Sequence, residues 1–317
     1  MNFNKIKEFF KRNKKRTIAI IVAGIVVIAA IEFGVVYSQT KTNSSTSTSS
    51  SVKATTTSTD LDTSVISTDD MFSERDLEQT YDSSKAVTVT LADNASKSSA
   101  DGVSIDGNTV TITKEGVYVF SGSLSNGAIV VNAGDDAKVQ IVLNGVDITN
   151  NSSACIYSVN ANKVFLTTAD GSNNTLHVSG DYKQTDDNNV DAAIFSKTDL
   201  TINGTGTLTV KADYGHGIVC KDDLVITGST INVTSVDHAI NGKNSIRIAA
   251  GTLNLTTGED GLHSGNDDDS TVGYIYMKDG DITINAKDDG IHADLEVRID
   301  GGNIDIESSY EGIEGAV

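Results

Sequence analysis

The stretch KDDGIHADLEVRIDGGNIDIESSYEGIEG, residues 287–315, contains two versions of one short phrase. DDGIHA begins at Asp288 and YEGIEG begins at Tyr310, and their isoleucines, Ile291 and Ile313, are 22 residues apart. Each version places acidic residues ahead of a glycine and an isoleucine. A phrase that returns at a spacing near 22 residues is typical of a solenoid, in which each repeat packs against its neighbours.

The same phrase occurs upstream and aligns on one aliphatic position, which we call the aliphatic column. Its members are Ile156, Ile194, Ile218, Ile240, Leu262, Ile291 and Ile313. The two longest steps contain the polar stretches DYKQTDDNN and SGNDDDSTVG, which we predict to be loops. Two more short strand patterns lie between successive phrases, for example LVIT and TINVT. Three strands in each repeat, without helical periodicity, predict an all-β parallel β-helix of triangular cross-section.

The position before each column member is always small, which is what close stacking of repeats requires. Its occupants are Cys155, Ala193, Gly217, Ala239, Gly261, Gly290 and Gly312. Cys220 occupies a second column of small residues, two positions after the aliphatic one. Both cysteines are therefore predicted to be free buried thiols rather than a disulfide.

The N-terminal part of the chain has a different composition. Residues 1–16 are basic, residues 17–37 are apolar with Glu32 as the only charge, and residues 38–84 begin with a run of Ser and Thr. This order predicts a cytoplasmic segment, a single transmembrane helix and a disordered stalk, with an extracellular domain over residues 85–317. A cleaved signal peptide, which would make the protein secreted, stays open as the alternative.

The net charge of −19 is an acidic excess that lies outside the basic start. Nucleic-acid binding needs clustered cations, so we expect no nucleic-acid partner. An acidic body instead attracts metal ions or other cations. These totals do not indicate an oligomeric state.

Acidic residues recur beside the aliphatic column and are the candidate metal ligands. They are Glu259, Asp260, Asp288, Asp289, Asp294 and Glu311. Stacked repeats would place such carboxylates about 4.8 Å apart, so they must either spread into solvent or share cations. Carboxylate oxygens without clustered cysteines favour calcium. His263 and His292 lie in the same region and would suit Zn²⁺ or Mn²⁺ better. A solvated acidic face and hydrogen-bonded turn caps remain as alternatives.

Several phrases together resemble a family of bacterial carbohydrate-binding domain-containing proteins. The resemblance rests on VFSGSLSNGAIVVNAGDDAKVQIVLNGVDITNNSSACIYS, DLTINGTGTLTV, GEDGLHS and DDGIHAD. It implies a right-handed parallel β-helix similar to calcium-dependent pectate lyases, which binds cellulose or acidic plant polysaccharides and calcium. It also implies that Asp260, Asp288, Asp289, Asp294 and Glu311 are calcium ligands. Family members often continue through further repeats, so the chain is expected to be a shortened member.

The function predicted from these observations is non-catalytic polysaccharide binding at the cell surface by a calcium-stabilised β-helix. A calcium-dependent polysaccharide lyase is the enzymatic alternative, since β-elimination needs a metal and a lysine or arginine base. The lysines and arginines among the repeats have no spacing that identifies such a base. A structural surface adhesin is the third alternative.

Overall fold

The computed structural model describes residues 66–98, 100–184 and 187–317, and every regular element in these ranges is a β-strand. The strands are β1 Ala86–Leu91, β2 Lys97–Ser98, β3 Val103–Asp106, β4 Thr109–Ile112, β5 Gly116–Leu124, β6 Ala128–Asn132, β7 Lys138–Asn150, β8 Ile156–Asn160, β9 Lys163–Thr168, β10 Asn173–Val178, β11 Ala192–Ser196, β12 Asp199–Gly204, β13 Thr207–Ala212, β14 His216–Cys220, β15 Asp223–Thr234, β16 Ile240–Gly242, β17 Ser245–Thr256, β18 Leu262–Ser264, β19 Tyr274–Met277, β20 Asp281–Asn285, β21 Ile291–Ala293, β22 Glu296–Ile299, β23 Asn303–Ser308 and β24 Ile313–Gly315. Their apolar positions are rich in Val, Ile and Leu, which fit a pleated and half-buried surface.

The strands form two sheets. The first has 14 strands, and its longest path runs β2-β1-β5-β7-β10-β13-β15-β17-β19-β22. The second has ten strands in the order β24-β21-β18-β16-β14-β11-β8-β6-β4-β3. Neighbours pair in parallel except at the N-terminal edges, where β1 with β2 and β3 with β4 are antiparallel. Within the first sheet, β7, β10, β13, β15, β12 and β9 pair in that order, and β9 returns to β7 to close a six-strand parallel ring.

The predicted triangular, right-handed parallel β-helix is therefore wrong as a description of the fold. LVIT and TINVT were predicted as separate strands on separate sides, but both belong to the single strand β15. Their junction is a bulge next to Ser229, whose φ is 68°. A β-bulge bends a strand without ending its pairing, so two of the three expected sides join in one sheet.

The predicted transmembrane helix is the second correction. In the part of the chain that the structure describes, no helix is long and apolar enough to cross a membrane. The predicted cytoplasmic segment 1–16, the apolar segment 17–37 and most of the predicted stalk lie outside the described residues. The predicted single-pass anchor and the membrane localisation that depends on it therefore have no support among the described residues.

The predicted register of the aliphatic column is confirmed in the second sheet. Each member from Ile156 to Ile313 is paired with the next one along the chain. The side chains from Ile156 to Ile291 are buried in one continuous core, whereas Ile313 in the last strand is 48% exposed. Cys155 and Cys220 are free and buried, as predicted. Burial raises the pKa of the Cys155 thiol to about 12, so this thiol stays protonated and unreactive.

Residues 66–84, which we call the strap, lie against the first sheet. Asp76 pairs with Lys163 of β9 and accepts a hydrogen bond from Thr201 of β12. The Gln79 side chain donates to the carbonyl of Thr227 in β15 and accepts from the amide of Gly204. Side-chain hydrogen bonds therefore connect the strap to three successive strands of the sheet.

The outward face of the second sheet is apolar at β8, β11 and β14 and becomes polar from β16 onward. Tyr157, Phe195 and Val219 pack there into a small apolar cluster with Val190, which directly follows the first predicted loop. Tyr157 and Phe195 are 8% and 0% exposed, so neither ring is available to stack on a sugar. The next occupants of the same column, from β16 onward, are polar. The candidate site lies on this polar part of the face.

Candidate functional site

The first feature of the site is a file of hydrogen-bond acceptors, which we call the acceptor column. It occupies the position two before the aliphatic column, and its members are His216, His238, Asp260, Asp289 and Glu311. Each of the first four accepts a hydrogen bond from the backbone N–H of the next member, at donor–acceptor distances of 3.1, 3.2, 2.8 and 3.1 Å in chain order. Side-chain acceptors are thus needed to satisfy backbone amides at the edge of the second sheet.

A second file of side chains, the outer column, lies one position after the aliphatic column. Its polar members are Asn241, His263, His292 and Glu314. The ring of His238 stacks on His216 on one side, with centroids 5.1 Å apart, and on His263 on the other, at 4.4 Å. His263 meets His292 edge to face at 5.2 Å. The two columns therefore form one continuous band of imidazole and carboxylate groups.

The carboxylates of the band use one oxygen for structure and direct the other towards imidazoles. Oδ1 of Asp260 holds the amide of Asp289, while Oδ2 is 3.2 Å from Nδ1 of His238. Burial alone would raise the pKa of Asp260, but the adjacent His238 imidazole and the hydrogen bond from the Asp289 amide lower it below its ordinary value. Asp260 is thus a buried carboxylate that stays ionised, and it is only 2% exposed.

Burial keeps two histidines of the band neutral. It lowers the pKa of His216 to about 3 and that of His263 to about 4, with a smaller contribution from the neighbouring imidazoles and, for His216, from Lys221. Neutral imidazoles can accept hydrogen bonds or bind metal ions, whereas imidazolium ions cannot.

Replacing His216 with asparagine is expected to make folding less sensitive to mild acid. The Asn side-chain oxygen can accept the His238 amide in place of Nδ1, but it does not titrate. Because the folded pKa of His216 lies below its ordinary value of 6.5, the wild type gains stability above that pH and loses it as the pH falls. The loss relative to His216→Asn approaches about 1.4 kcal/mol for each pH unit below 6.5. Urea unfolding from pH 8 to pH 5 measures the difference, and parallel pH profiles would contradict it.

The predicted metal ligands do not form one site. Four of them belong to a chain of side-chain groups in which one ligand atom per residue lies within 4.8 Å of the others. These groups are His216–His238–Glu259, His238–Asp260–His263, Asp260–Asp289–His292 and Asp289–Glu311–Glu314. Asp288 and Asp294 belong to none of them. Sequence reasoning missed Glu314 as a partner, although its place in the outer column after His263 and His292 indicates it.

A groove opens beside the band and has a volume of about 490 Å³. Its lining side chains are those of Lys221, Asn241, Lys243, His263, Asp267, Asp268 and Asp294. The loop between β18 and β19, which was predicted from SGNDDDSTVG, forms one wall, and its Asp268 pairs with Lys243 at 2.7 Å. The lysines of the groove were not chosen as site residues from the sequence, although Lys221 and Lys243 are 22 residues apart and each lies three positions after a member of the aliphatic column. Every lining side chain is polar, and none is an aromatic platform.

The comparisons with known proteins agree on the family. The family model for carbohydrate-binding domain-containing proteins matches residues 106–314. A carbohydrate-binding domain-containing protein of Acetivibrio thermocellus is 43% identical over 143 residues, which is 44% of this chain and 50% of that protein. The chain thus spans about half the length of this relative.

A solved structure adds a relative with similar architecture. It is the polysaccharide lyase-like protein from C. thermocellum, solved as a gadolinium derivative, with a TM-score of 0.63 and 34% sequence identity. The match covers 73% of this chain and 98% of that one. The family model spans well over half of the sequence, and so the chain belongs to the carbohydrate-binding domain-containing protein family.

Proposed function

We propose that the protein binds an acidic polysaccharide non-catalytically in the groove beside the band. The observation that carries the proposal is the lining, which combines the ammonium groups of Lys221 and Lys243 with the amide of Asn241 and the carboxylates of Asp267 and Asp268. Sugar hydroxyls bond to amides and carboxylates, and uronate carboxylates bond to ammonium groups. Membership of a carbohydrate-binding family supports the same ligand class.

Calcium is part of this proposal. Asp289, Glu311 and Glu314 form a group with oxygen donors only, which is the donor chemistry that Ca²⁺ prefers. Bound calcium would offset the negative charge of the band and so reduce its repulsion of an acidic glycan. The side chains of Asp289, Glu311 and Glu314 would hold the calcium ion.

Replacing Lys243 with alanine is expected to weaken binding of polygalacturonate by about tenfold or more, since a hydrogen bond to a charged group contributes about 1.5 to 3 kcal/mol. The side chain of its partner Asp268 is 81% exposed, so the substitution strands no buried charge. Affinity electrophoresis of the full chain in gels containing polygalacturonate measures the change. Lys278→Ala is the matched control, because Lys278 is exposed and does not line the groove.

The same gels test the role of calcium, since a chelator should reduce retention of the wild type. Equal retention of Lys243→Ala and Lys278→Ala would refute the groove as the binding site.

A polysaccharide lyase is the alternative function, because the solved relative is described as polysaccharide lyase-like. Incubation with polygalacturonate and calcium should give no rise in ultraviolet absorbance from an unsaturated product. A clear rise that Lys243→Ala abolishes would establish the lyase instead.

A further inference from the structure

The imidazole of His292 lies at unusual distances from four carboxylates. Its Nδ1 is 3.6 Å from Oδ2 of Asp289, 3.8 Å from Oδ2 of Asp260 and 4.0 Å from Oε2 of Glu314, and its Nε2 is 3.8 Å from Asp294. A hydrogen bond between nitrogen and oxygen is 2.7–3.2 Å long, so these contacts are too long to be hydrogen bonds. Two ligands bound tetrahedrally at about 2.1 Å to one metal ion are about 3.4 Å apart. The separations from Asp289 and Asp260 are close to that spacing.

The two carboxylates that face Nδ1 of His292 are buried, and their basic neighbours are imidazoles alone: His292 for both, and His238 at 3.2 Å for Asp260. Asp260 and Asp289 are 2% and 5% exposed. Their Oδ1 atoms accept backbone amides, which leaves the Oδ2 atoms directed at the imidazole. Among the described residues, no lysine or arginine forms an ion pair with either carboxylate. One oxygen from each carboxylate lies within 4.8 Å of the other and of a His292 nitrogen, and the repulsion between two such charges favours a cation between them.

The neighbouring His263 provides an independent observation. Its Nδ1 is buried and has no hydrogen-bond partner. The same residue shares a group of nearby donor atoms with Asp260. An unsatisfied buried imidazole nitrogen costs free energy unless a ligand meets it. This nitrogen therefore marks the adjoining group of His238, Asp260 and His263, which shares Asp260, as able to accept a ligand.

We propose that Asp260, Asp289 and His292 bind one transition-metal dication of the Zn²⁺ class. Two carboxylates and an imidazole nitrogen are donors that Zn²⁺ accepts, whereas Ca²⁺ prefers oxygen alone. Asp260 precedes β18, and Asp289 and His292 flank and enter β21, so the ion would join two successive repeats. The site adjoins the glycan groove, which Asp294 lines, and it shares Asp289 with the all-oxygen calcium group.

Metal titration of the chelator-treated full chain tests the proposal. Addition of Co²⁺ should produce visible absorption bands that saturate at one equivalent and disappear when Zn²⁺ is added. Zn²⁺ should also raise the melting temperature with increasing concentration, because it binds only the folded state. His292→Gln should weaken Zn²⁺ binding at least tenfold. His292 is partly exposed, so its replacement should leave the fold intact.

Two control variants identify the site. His177→Gln removes a histidine that pairs with Asp213 on the first sheet and should bind Zn²⁺ as the wild type does. Glu314→Gln removes a donor of the proposed calcium group and should leave Zn²⁺ binding within a few-fold of the wild type. Absence of Co²⁺ bands, or equal Zn²⁺ affinity in His292→Gln and His177→Gln, would overturn the proposal. Glycan retention is measured separately, so its failure would refute the proposed function without affecting this result.

Discussion

Replacing Asp76 with alanine is expected to lower the free energy of unfolding by about 3 to 5 kcal/mol, the cost of leaving a buried charge without its partner. Asp76 is 3% exposed, and its Oδ1 lies 2.8 Å from Nζ of Lys163, whose side chain is only 14% exposed. The same carboxylate accepts hydrogen bonds from Thr201 and from the amide and hydroxyl of Ser73. The substitution removes all of these bonds and leaves Lys163 charged against the sheet.

Urea unfolding of Asp76→Ala measures the loss, and Asp82→Ala is the matched control. Asp82 belongs to the same strap and pairs with Lys85 at 3.1 Å, but both side chains are well exposed. An exposed pair contributes at most about 1 kcal/mol, so the control should stay near the wild type. Similar losses in the two variants would show that Asp76 is not an anchor of the strap.

The pH dependence of stability gives a second readout for the same variant. Burial would raise the pKa of Asp76, but the hydrogen bonds from Lys163, Thr201 and Ser73 lower it from 3.8 to about 2. A carboxylate with a depressed folded pKa stabilises the fold fully above its ordinary pKa and loses that contribution as the pH falls through the folded pKa. The wild type and Asp76→Ala should therefore converge in stability as the pH falls from about 4 towards 2.

The strap could not be predicted from the sequence, because the bonds that hold it follow no periodic pattern. Arg247 donates to the carbonyl of Met71, and Asn203 donates to the carbonyl of Glu78. These bonds join side chains of the sheet to backbone atoms of residues far away in sequence. The aliphatic column was predictable for the opposite reason. An aliphatic residue recurs at one position in seven repeats, and a parallel pairing with a fixed register requires that recurrence.

The sequence predicts which residue types form the candidate site, but it does not predict what each carboxylate does there. A carboxylate in the acceptor column satisfies the amide of the next repeat whether or not it also binds an ion. The sequence therefore has the same pattern for a structural cap and for a metal ligand. Asp289 combines both possibilities, since Oδ1 caps Glu311 and Oδ2 faces His292. Only the distances between side chains separate the two roles.

Replacing Gly261 with alanine is expected to lower the free energy of unfolding by about 2 to 3 kcal/mol, which is within the usual cost of overpacking a core. The sequence predicts no such effect, because Ala193 and Ala239 occupy the same small-residue column. A Cβ on Gly261 would lie 2.6 Å from the carbonyl oxygen of Gly290 and 2.6 Å from Cγ2 of Ile284. Ile284 is fully buried and the carbonyl belongs to the backbone of the next repeat, so neither can move away cheaply.

Gly312→Ala is the matched control, because Gly312 occupies the same column in the last repeat and a Cβ there would meet nothing within 4 Å. Removing this glycine should leave the free energy of unfolding unchanged or raise it by up to about 1 kcal/mol, since alanine restricts the unfolded chain. Chemical unfolding of both variants in chelator-containing buffer isolates packing from any bound ion. An unchanged free energy of unfolding in Gly261→Ala would contradict this prediction. It would mean that the Gly290 carbonyl lies farther from Gly261 than the 2.6 Å between that oxygen and an added Cβ indicates. A large loss at Gly312 would instead mean that further atoms cover the exposed last strand.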